Sequence, residues 1–377
     1  MTVPIPFIDL QAQRRRLGAP LERAIQAAVE NGQWVLGPQV GALEEKLAAL
    51  AGVKHAVACA NGTDALMIVL RAWGIGPGDA VFVPAFTFAA SAEVVALVGA
   101  SPVFVDVLDD TYNMDPASLE AAIALVKREG KLAPRAVMPV DLFGQTANYR
   151  AIEPIARREK LTILCDAAQG FGATLDGRVA GGIGDAAATS FFPAKPLGCY
   201  GDGGASFTDD DGLAELLRSI RMHGQGADRY ENVRIGVNSR LDTIQAAILL
   251  EKLKIFPEEI EMRERIARRY NDALGQSNSI RVPHVIPGAR STWAQYTIQV
   301  PDRAKLQADL KVKGIPTAVY YPIPLSAQKG YAHYPSAPTP VSDRISKTVV
   351  SLPMHPYLHA PTQDRIVAAV LESVGQA

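Results

Sequence analysis

Cysteine is scarce in this chain: three in 377 residues, at Cys59, Cys165 and Cys199. They are odd in number and far apart, which excludes a disulfide framework and a zinc-type site and points to reduced thiols of a cytoplasmic protein. Excess charge is also missing. With 38 Lys and Arg against 39 Asp and Glu the formal charge is -1, so no electrostatic nucleic-acid binder is expected. The triple arginine at 14–16 is too short a basic run to alter that. No apolar run approaches the roughly 18 residues that a membrane span needs. The opening MTVPIPFIDLQAQRRR lacks the charged start and apolar core of a signal peptide.

Several catalytic signatures are absent as well. There is no G-x-x-x-x-G-K-S/T and no G-x-G-x-x-G opening a helix, which argues against nucleoside-triphosphate and dinucleotide sites. H-E-x-x-H, C-x-x-C and G-x-S-x-G are missing, and the six histidines are scattered. The acidic run DVLDDTYNMD lacks the glycine of a calcium loop and reads as a solvated turn. No metal site is expected.

What is present is a well-packed chain, 48% hydrophobic with mean hydropathy +0.06, long enough for one large domain and a smaller one. HAVACA (55–60), DAVFVPA (79–85), SPVFVDV (101–107), PRAVMPV (134–140) and LTILCDA (161–167) read as strands. A helix over 62–73, capped by Asn61, follows the first, and SAEVVALVGA, PASLEAAIALVKREG and YRAIEPIARREK have helical apolar spacing. This alternation predicts a mainly parallel sheet covered by helices on both faces. Beyond residue 207 the rhythm changes. GLAELLRSIRM is helical, and a long helical stretch over 242–275 is interrupted at Pro257. TWAQYTIQV, RAKLQADLKVKG and PTAVYYPI read as strand, helix and strand, and a last helix runs over 361–374. The expected division is a large α/β domain over 1–250 and a small α+β domain over 251–377.

In open α/β sheets ligands bind at the carboxyl ends of the strands, so the residues that follow each strand matter. Asn61-Gly62-Thr63 opens a helix, where free amides and a hydroxyl suit a phosphate; a capped helix start without ligand is the plain alternative. Phe88 places an aromatic at the same rim, or simply an edge aromatic. Asp166 ends an apolar strand, where a carboxylate needs a cationic partner or caps a nearby amide. Lys195 sits in SFFPAKPLGCYGDGGASF (190–207), delivered by the SFF segment, between prolines and before a glycine cluster. A lysine in poorly hydrated surroundings has a lowered pKa and an amine free for Schiff-base chemistry. Phosphate cradle, aromatic, carboxylate and lysine, in that order, meet the needs of pyridoxal phosphate.

The segments CANGTDAL, PAFTFAASAEVV, DAAQGFGA, SFFPAKPLGCYGDGGA, RMHGQ, GVNSRLDTIQAA, YPIPL and SLPMHPYL together resemble the DegT/DnrJ/EryC1/StrS family of pyridoxal-phosphate-dependent nucleotide-sugar aminotransferases. The resemblance covers nearly the whole chain and implies the aspartate-aminotransferase-like fold (fold type I), with a mainly parallel seven-stranded sheet in the large domain. It implies that Lys195 is the Schiff-base lysine, Asp166 the partner of the pyridine nitrogen and Gln169 the contact to the ring hydroxyl. Phe88 and Ala168 would flank the ring. Gly62, Thr63 and Ser190 would hold the phosphate, joined by Asn238 of a second subunit in a homodimer with shared active sites. Arg229, Tyr320 and Tyr321 match positions that meet the sugar nucleotide, although relatives often have His-Tyr-Pro where this chain has Tyr320-Tyr321-Pro322.

Within the family the text is most similar to enzymes that aminate C3 of a UDP-linked 2-acetamido-3-keto-hexuronic acid for bacterial O-antigen, with glutamate as donor. A 4-keto-hexose aminotransferase acting on a GDP- or dTDP-linked sugar is the alternative. A histidine in place of the lysine marks the family's sugar dehydratases, and Lys195 argues against that activity.

Overall fold

The structure, a computed structural model, describes residues 4–228 and 230–375. Two helices come first, α1 (Leu10–Glu30), bent at Gly18 and Pro20, and α2 (Pro38–Ala51), which starts on a proline and ends on left-handed Gly52. An alternation of strands and helices follows: β1 (His55–Cys59), α3 (Gly62–Ala72), β2 (Asp79–Pro84), α4 (Ala90–Leu97), β3 (Ser101–Val105), α5 (Pro116–Glu129), β4 (Ala133–Val137), α6 (Tyr149–Glu159) and β5 (Thr162–Asp166). The caps are local. The side chains of Asn61 and Asp115 accept from the first-turn amides of α3 and α5, and left-handed Gly130 closes α5. Next come the short strands β6 (Thr174–Leu175) and β7 (Arg178–Val179), then β8 (Ala186–Ser190), β9 (Gly204–Thr208) and α7 (Asp211–Ile220).

Seven strands form one sheet in the order β1-β9-β8-β5-β4-β2-β3. Only β9 runs against its neighbours, so the sheet is mainly parallel as expected. Alternate strand residues feed two cores. Phe82, Val103, Val137, Ile163, Cys165 and Phe207 face one side, and Val57, Val81, Val83, Phe104 and Leu164 face the other. Burial on both faces explains the near-continuous apolar runs.

The helix expected over 242–275 is two, α8 (Thr243–Leu253) and α9 (Phe256–Leu274); the break is at Lys254 and Ile255, and Pro257 sits in the first turn of the second. Phe256 and Ile260 of α9 join the first core, whereas Ile266, Tyr270 and Leu274 join another. That further core is built with β11 (Tyr296–Gln299), which follows the short β10 (Ala289–Arg290), and with α10 (Arg303–Val312). The helix α11 (Pro340–Thr348) leads into β12 (Val349–Leu352), which pairs with β11, and α12 (Ala360–Ser373) completes the layer. PTAVYYPI is not a strand. It makes one bridge, Ala318 to Ser351, because Pro316, Pro322 and Pro324 remove donors that a ladder requires. Among the described residues no helix is long and apolar enough to cross a membrane.

Candidate active site

The carboxyl edge of the sheet opens on a cavity of about 430 Å³. Its wall follows the strand order. The turn after β1 supplies Gly62 and Thr63, the end of β8 and the segment after it supply Ser190 and Lys195, and the end of β5 and the turn after it supply Asp166, Ala168 and Gln169. Phe88 enters after β2, and Tyr320 and Tyr321 from the segment before α11. Ten residues predicted from sequence therefore meet at one place. Asn238 does not line the cavity of its own chain and is exposed. Arg229 lies outside the described residues.

Gly62 starts α3, and the side chain of Asn61 takes the amide of Asp64 at 2.8 Å, leaving the preceding amides of the first turn for a ligand. A β-carbon at Gly62 would lie 2.5 Å from Ser190 Cβ, so glycine alone lets the end of β8 approach the start of α3 this closely. Ser190 Oγ, at that junction, accepts from the Phe192 amide at 3.2 Å.

Asp166 is 4% exposed. Its Oδ2 accepts from Ser91 Oγ at 2.9 Å and its Oδ1 from the Ala168 amide at 3.1 Å. Burial raises this carboxyl above the ordinary aspartate range, against the pull of the Ala168 amide, the Ser91 hydroxyl and the charge of Lys195. Two neutral donors do not balance a buried carboxylate; a cation in the cavity would. The lysine lies in the same wall, in a tight turn where its amide donates to Phe192 O at 2.9 Å. Its ammonium has no hydrogen-bond acceptor among the described residues, and burial holds it below the usual lysine pKa although Asp166 attracts it. Burial shifts both groups toward their neutral forms, and for the lysine that is the form of a nucleophilic amine.

Gln169 is fixed at both ends of its amide: Oε1 accepts from the Phe143 amide at 2.8 Å and Nε2 donates to Tyr321 Oη at 3.2 Å. Phe88 is 55% exposed, an uncovered ring at the cavity mouth. Its centroid lies 6.2 Å from that of Tyr321. Sequence reasoning missed Ser91, Thr87, Asp202 and Gln295. Ser91 was reachable in principle, as a hydroxyl in the first turn of the helix after the Phe88 rim; nothing local in the sequence singles out Gln295.

These residues fit pyridoxal phosphate. First-turn amides at Gly62 and Thr63 beside the Ser190 hydroxyl suit an anion, Phe88 is an uncovered aromatic, Asp166 is a buried carboxylate in want of a cation, and Lys195 is an amine without a hydrogen-bond acceptor. The family model described as DegT/DnrJ/EryC1/StrS aminotransferase matches residues 16–371. The UDP-2-acetamido-2-deoxy-3-oxo-D-glucuronate aminotransferase of Pseudomonas aeruginosa is 49% identical over 368 residues, 97% of this chain and 99% of that protein. A DegT DnrJ EryC1 StrS aminotransferase from Brucella abortus superposes with TM-score 0.97 at 55% identity, covering 98% of this chain and 100% of that one. NtdA from Bacillus subtilis, with bound cofactor PMP, superposes with TM-score 0.90 at 29% identity, over 100% of this chain and 86% of that one. Sequence, fold and cavity agree that this chain belongs to the DegT/DnrJ/EryC1/StrS aminotransferase family and is a pyridoxal-phosphate-dependent aminotransferase.

Proposed function

We propose that the enzyme moves an amino group from glutamate to the C3 keto group of UDP-linked 2-acetamido-2-deoxy-3-keto-glucuronic acid, in the cytoplasm, for O-antigen or another surface polysaccharide. The observation that carries this reading is 49% identity, over nearly the full length of both chains, to the Pseudomonas aeruginosa enzyme of that name.

When bound, pyridoxal phosphate supplies an aldehyde carbon that condenses with amines and a ring that takes up the electron pair released at a neighbouring carbon. The chain's residues divide the remaining work. Gly62, Thr63 and Ser190 hold the phosphate. Phe88 and Ala168 cover the two ring faces, and Gln169 meets the ring hydroxyl. Asp166, ionised against the pyridinium, keeps that nitrogen protonated. Lys195 serves twice: its Nζ is the covalent anchor, and once displaced it takes the proton from the donor's Cα. In the return half-reaction the same nitrogen delivers a proton to C3 of the sugar. Tyr320, Tyr321 and Arg229 meet the sugar nucleotide.

The enzyme works as a homodimer with shared sites. Among the described residues, Lys195 is the one cation in the cavity wall, beside Asp166 and Asp202. A phosphate, a uronate and a glutamate need more donors than that, and Asn238, exposed on its own chain, is free to reach a neighbour's cradle. Mixing Lys195→Ala chains with Asn238→Ala chains should recover activity that neither has alone; failure to recover would refute sharing.

The substrate is tested by adding UDP-, GDP- and dTDP-linked keto sugars to the amine form of the cofactor-loaded enzyme. Return of the visible absorbance with the UDP-3-keto-uronate is the expected result. A response only to GDP- or dTDP-linked 4-keto hexoses would replace this reading with that alternative.

A further inference from the structure

The acidic run DVLDDTYNMD (106–115), read from sequence as a solvated turn, is mostly buried; of its ten residues Asp110 alone is exposed. It lies along the seam between the large sheet and the layer built on β11 and β12. Asp106 Oδ1 and Oδ2 accept from the Ser342 and Val341 amides at 2.8 and 2.9 Å, at the start of α11, and Asp109 O accepts from Gln299 Nε2 at 2.7 Å. Asp109 also pairs with Arg281 and Arg344. The run is therefore held firmly, and Asn113 uses it to grip another segment.

Asn113 is 2% exposed. Its Oδ1 accepts from the Leu142 amide at 3.0 Å, and its Nδ2 donates to Gln145 O and Thr146 O at 3.1 Å each. One side chain thus holds three backbone atoms of the turn that follows β4. That turn has a conformation its sequence does not favour. Phe143 has φ +59°, a left-handed backbone that a bulky residue keeps only where its surroundings over-determine it. Asn113 does so through the backbone, and Tyr112 through the ring, edge-on with centroids 5.3 Å apart. Gly144 lets the segment 292–294 close over the turn, since a β-carbon there would lie 2.7 Å from the Ala294 nitrogen.

Strain held from several sides points to a use, and the use is at Gln169. The Phe143 amide donates to Gln169 Oε1 at 2.8 Å, and a backbone N–H can only donate. It therefore fixes which way round the glutamine stands. The oxygen is turned to Phe143, which does not line the cavity, and the nitrogen to the hydroxyl of Tyr321, which does. One hydrogen of that nitrogen remains for the cofactor. Flipped, the amide would set its nitrogen against the Phe143 donor and its oxygen against the ring oxygen.

We infer that Asn113 is a positioning residue for the cofactor: it holds Phe143 in its left-handed conformation and, through the Phe143 amide, makes Gln169 present a donor to the ring oxygen. The inference rests on the contact between Gln169 and the ring hydroxyl proposed above.

Wild type, Gln169→Met, Asn113→Ala and the double variant form the test. Without the donor the ring oxygen holds its proton more tightly, so the pH midpoint of the visible absorbance of the cofactor-loaded enzyme should rise. The rise should be about one unit in Gln169→Met. Asn113→Ala should move the midpoint the same way, and the double variant should go no further than Gln169→Met, because one residue acts through the other. In the apoprotein, amide hydrogen exchange over 141–147 should quicken in Asn113→Ala. Asn113→Ser, which keeps one hydrogen-bonding group, should fall between, and it takes the place of the alanine variant if that one does not fold. A normal midpoint in the Asn113 variants beside a raised one in Gln169→Met would overturn the proposal and leave the Gln169 contact standing. Additive shifts in the double variant would do the same. An unmoved midpoint in Gln169→Met would overturn the contact and the proposal together.

Discussion

Ser91 Oγ donates to Asp166 Oδ2 at 2.9 Å, so the carboxylate that ends β5 is steadied by a helix that follows β2, two places away in the sheet. The bond opposes burial, which pushes the carboxyl up. Ser91→Ala should push it further. Because the raised pKa leaves less of the ionised form at low pH, the acid limb of the kcat/KM profile should move to higher pH. Cofactor affinity should fall about tenfold or more, in line with the ~1.5–3 kcal/mol of a hydrogen bond to a charged group. A spectrophotometric cofactor titration reads the affinity and steady-state rates across pH read the acid limb; an unmoved acid limb would mean that Asp166 is held by the cofactor alone.

Gly62 gives a steric prediction at the other end of the site. With a β-carbon only 2.5 Å from Ser190 Cβ, Gly62→Ala must separate α3 from β8. The expected destabilisation is about 1–3 kcal/mol, read in thermal melts. The phosphate cradle should suffer more than the fold, so cofactor should wash out on dialysis while the apoprotein stays folded.

The fold was largely legible because its parallel strands are buried on both faces and keep long apolar runs. Strands β8 and β9 were harder: AAATS and GASFT carry small residues where close packing by α3 leaves little room, and small residues give no strand signal. The first helix was hidden by its polar residues and by Gly18 and Pro20 at its bend. At the site, Lys195, Asp166 and Gly62 announce themselves by residue type in an odd place. Ser91 and Asn113 do not. They become functional through packing between distant segments, as with the 75 residues that separate Ser91 from Asp166.

Asp141 predicts a pH dependence of stability that is independent of catalysis. It is fully buried behind the site; its Oδ1 accepts from the Ala147 amide and from Tyr149 Oη, each at 2.9 Å, and Cys165 Sγ lies 3.3 Å from its Oδ2. Burial pushes its carboxyl up to about 7. A folded-state pKa above the unfolded value means the native state holds the proton more tightly. Its stabilising share is complete below the ordinary aspartate pKa and is lost as pH rises to about 7. Asp141→Asn, which keeps an acceptor for both donors, should remove that decline. Melting temperatures of the two apoproteins should converge at low pH and separate above neutrality, with the asparagine variant higher.

Lys252 carries the opposite sign. It is 1% exposed on α8, its Nζ donates to Gly198 O at 2.5 Å, and it lies 4.5 Å from the Tyr200 ring centroid. Gln245 of the same helix accepts from the Tyr200 amide at 2.8 Å, so α8 holds the outgoing limb of the Lys195 turn at two points. Burial pulls the Lys252 ammonium down to about 8, against the attraction of Glu259. The unfolded chain therefore binds the proton more tightly, and wild type should gain stability relative to Lys252→Met as pH rises from about 8 towards the ordinary lysine value of 10.5. At pH 7 the two should differ less, because removing the buried charge offsets the lost hydrogen bond. Activity is the separate readout. If the clamp positions Lys195, Lys252→Met should lower kcat with little change in KM for either substrate, and Lys252→Arg should restore part of it. Equal kcat in wild type and Lys252→Met would show that the turn holds its lysine without α8.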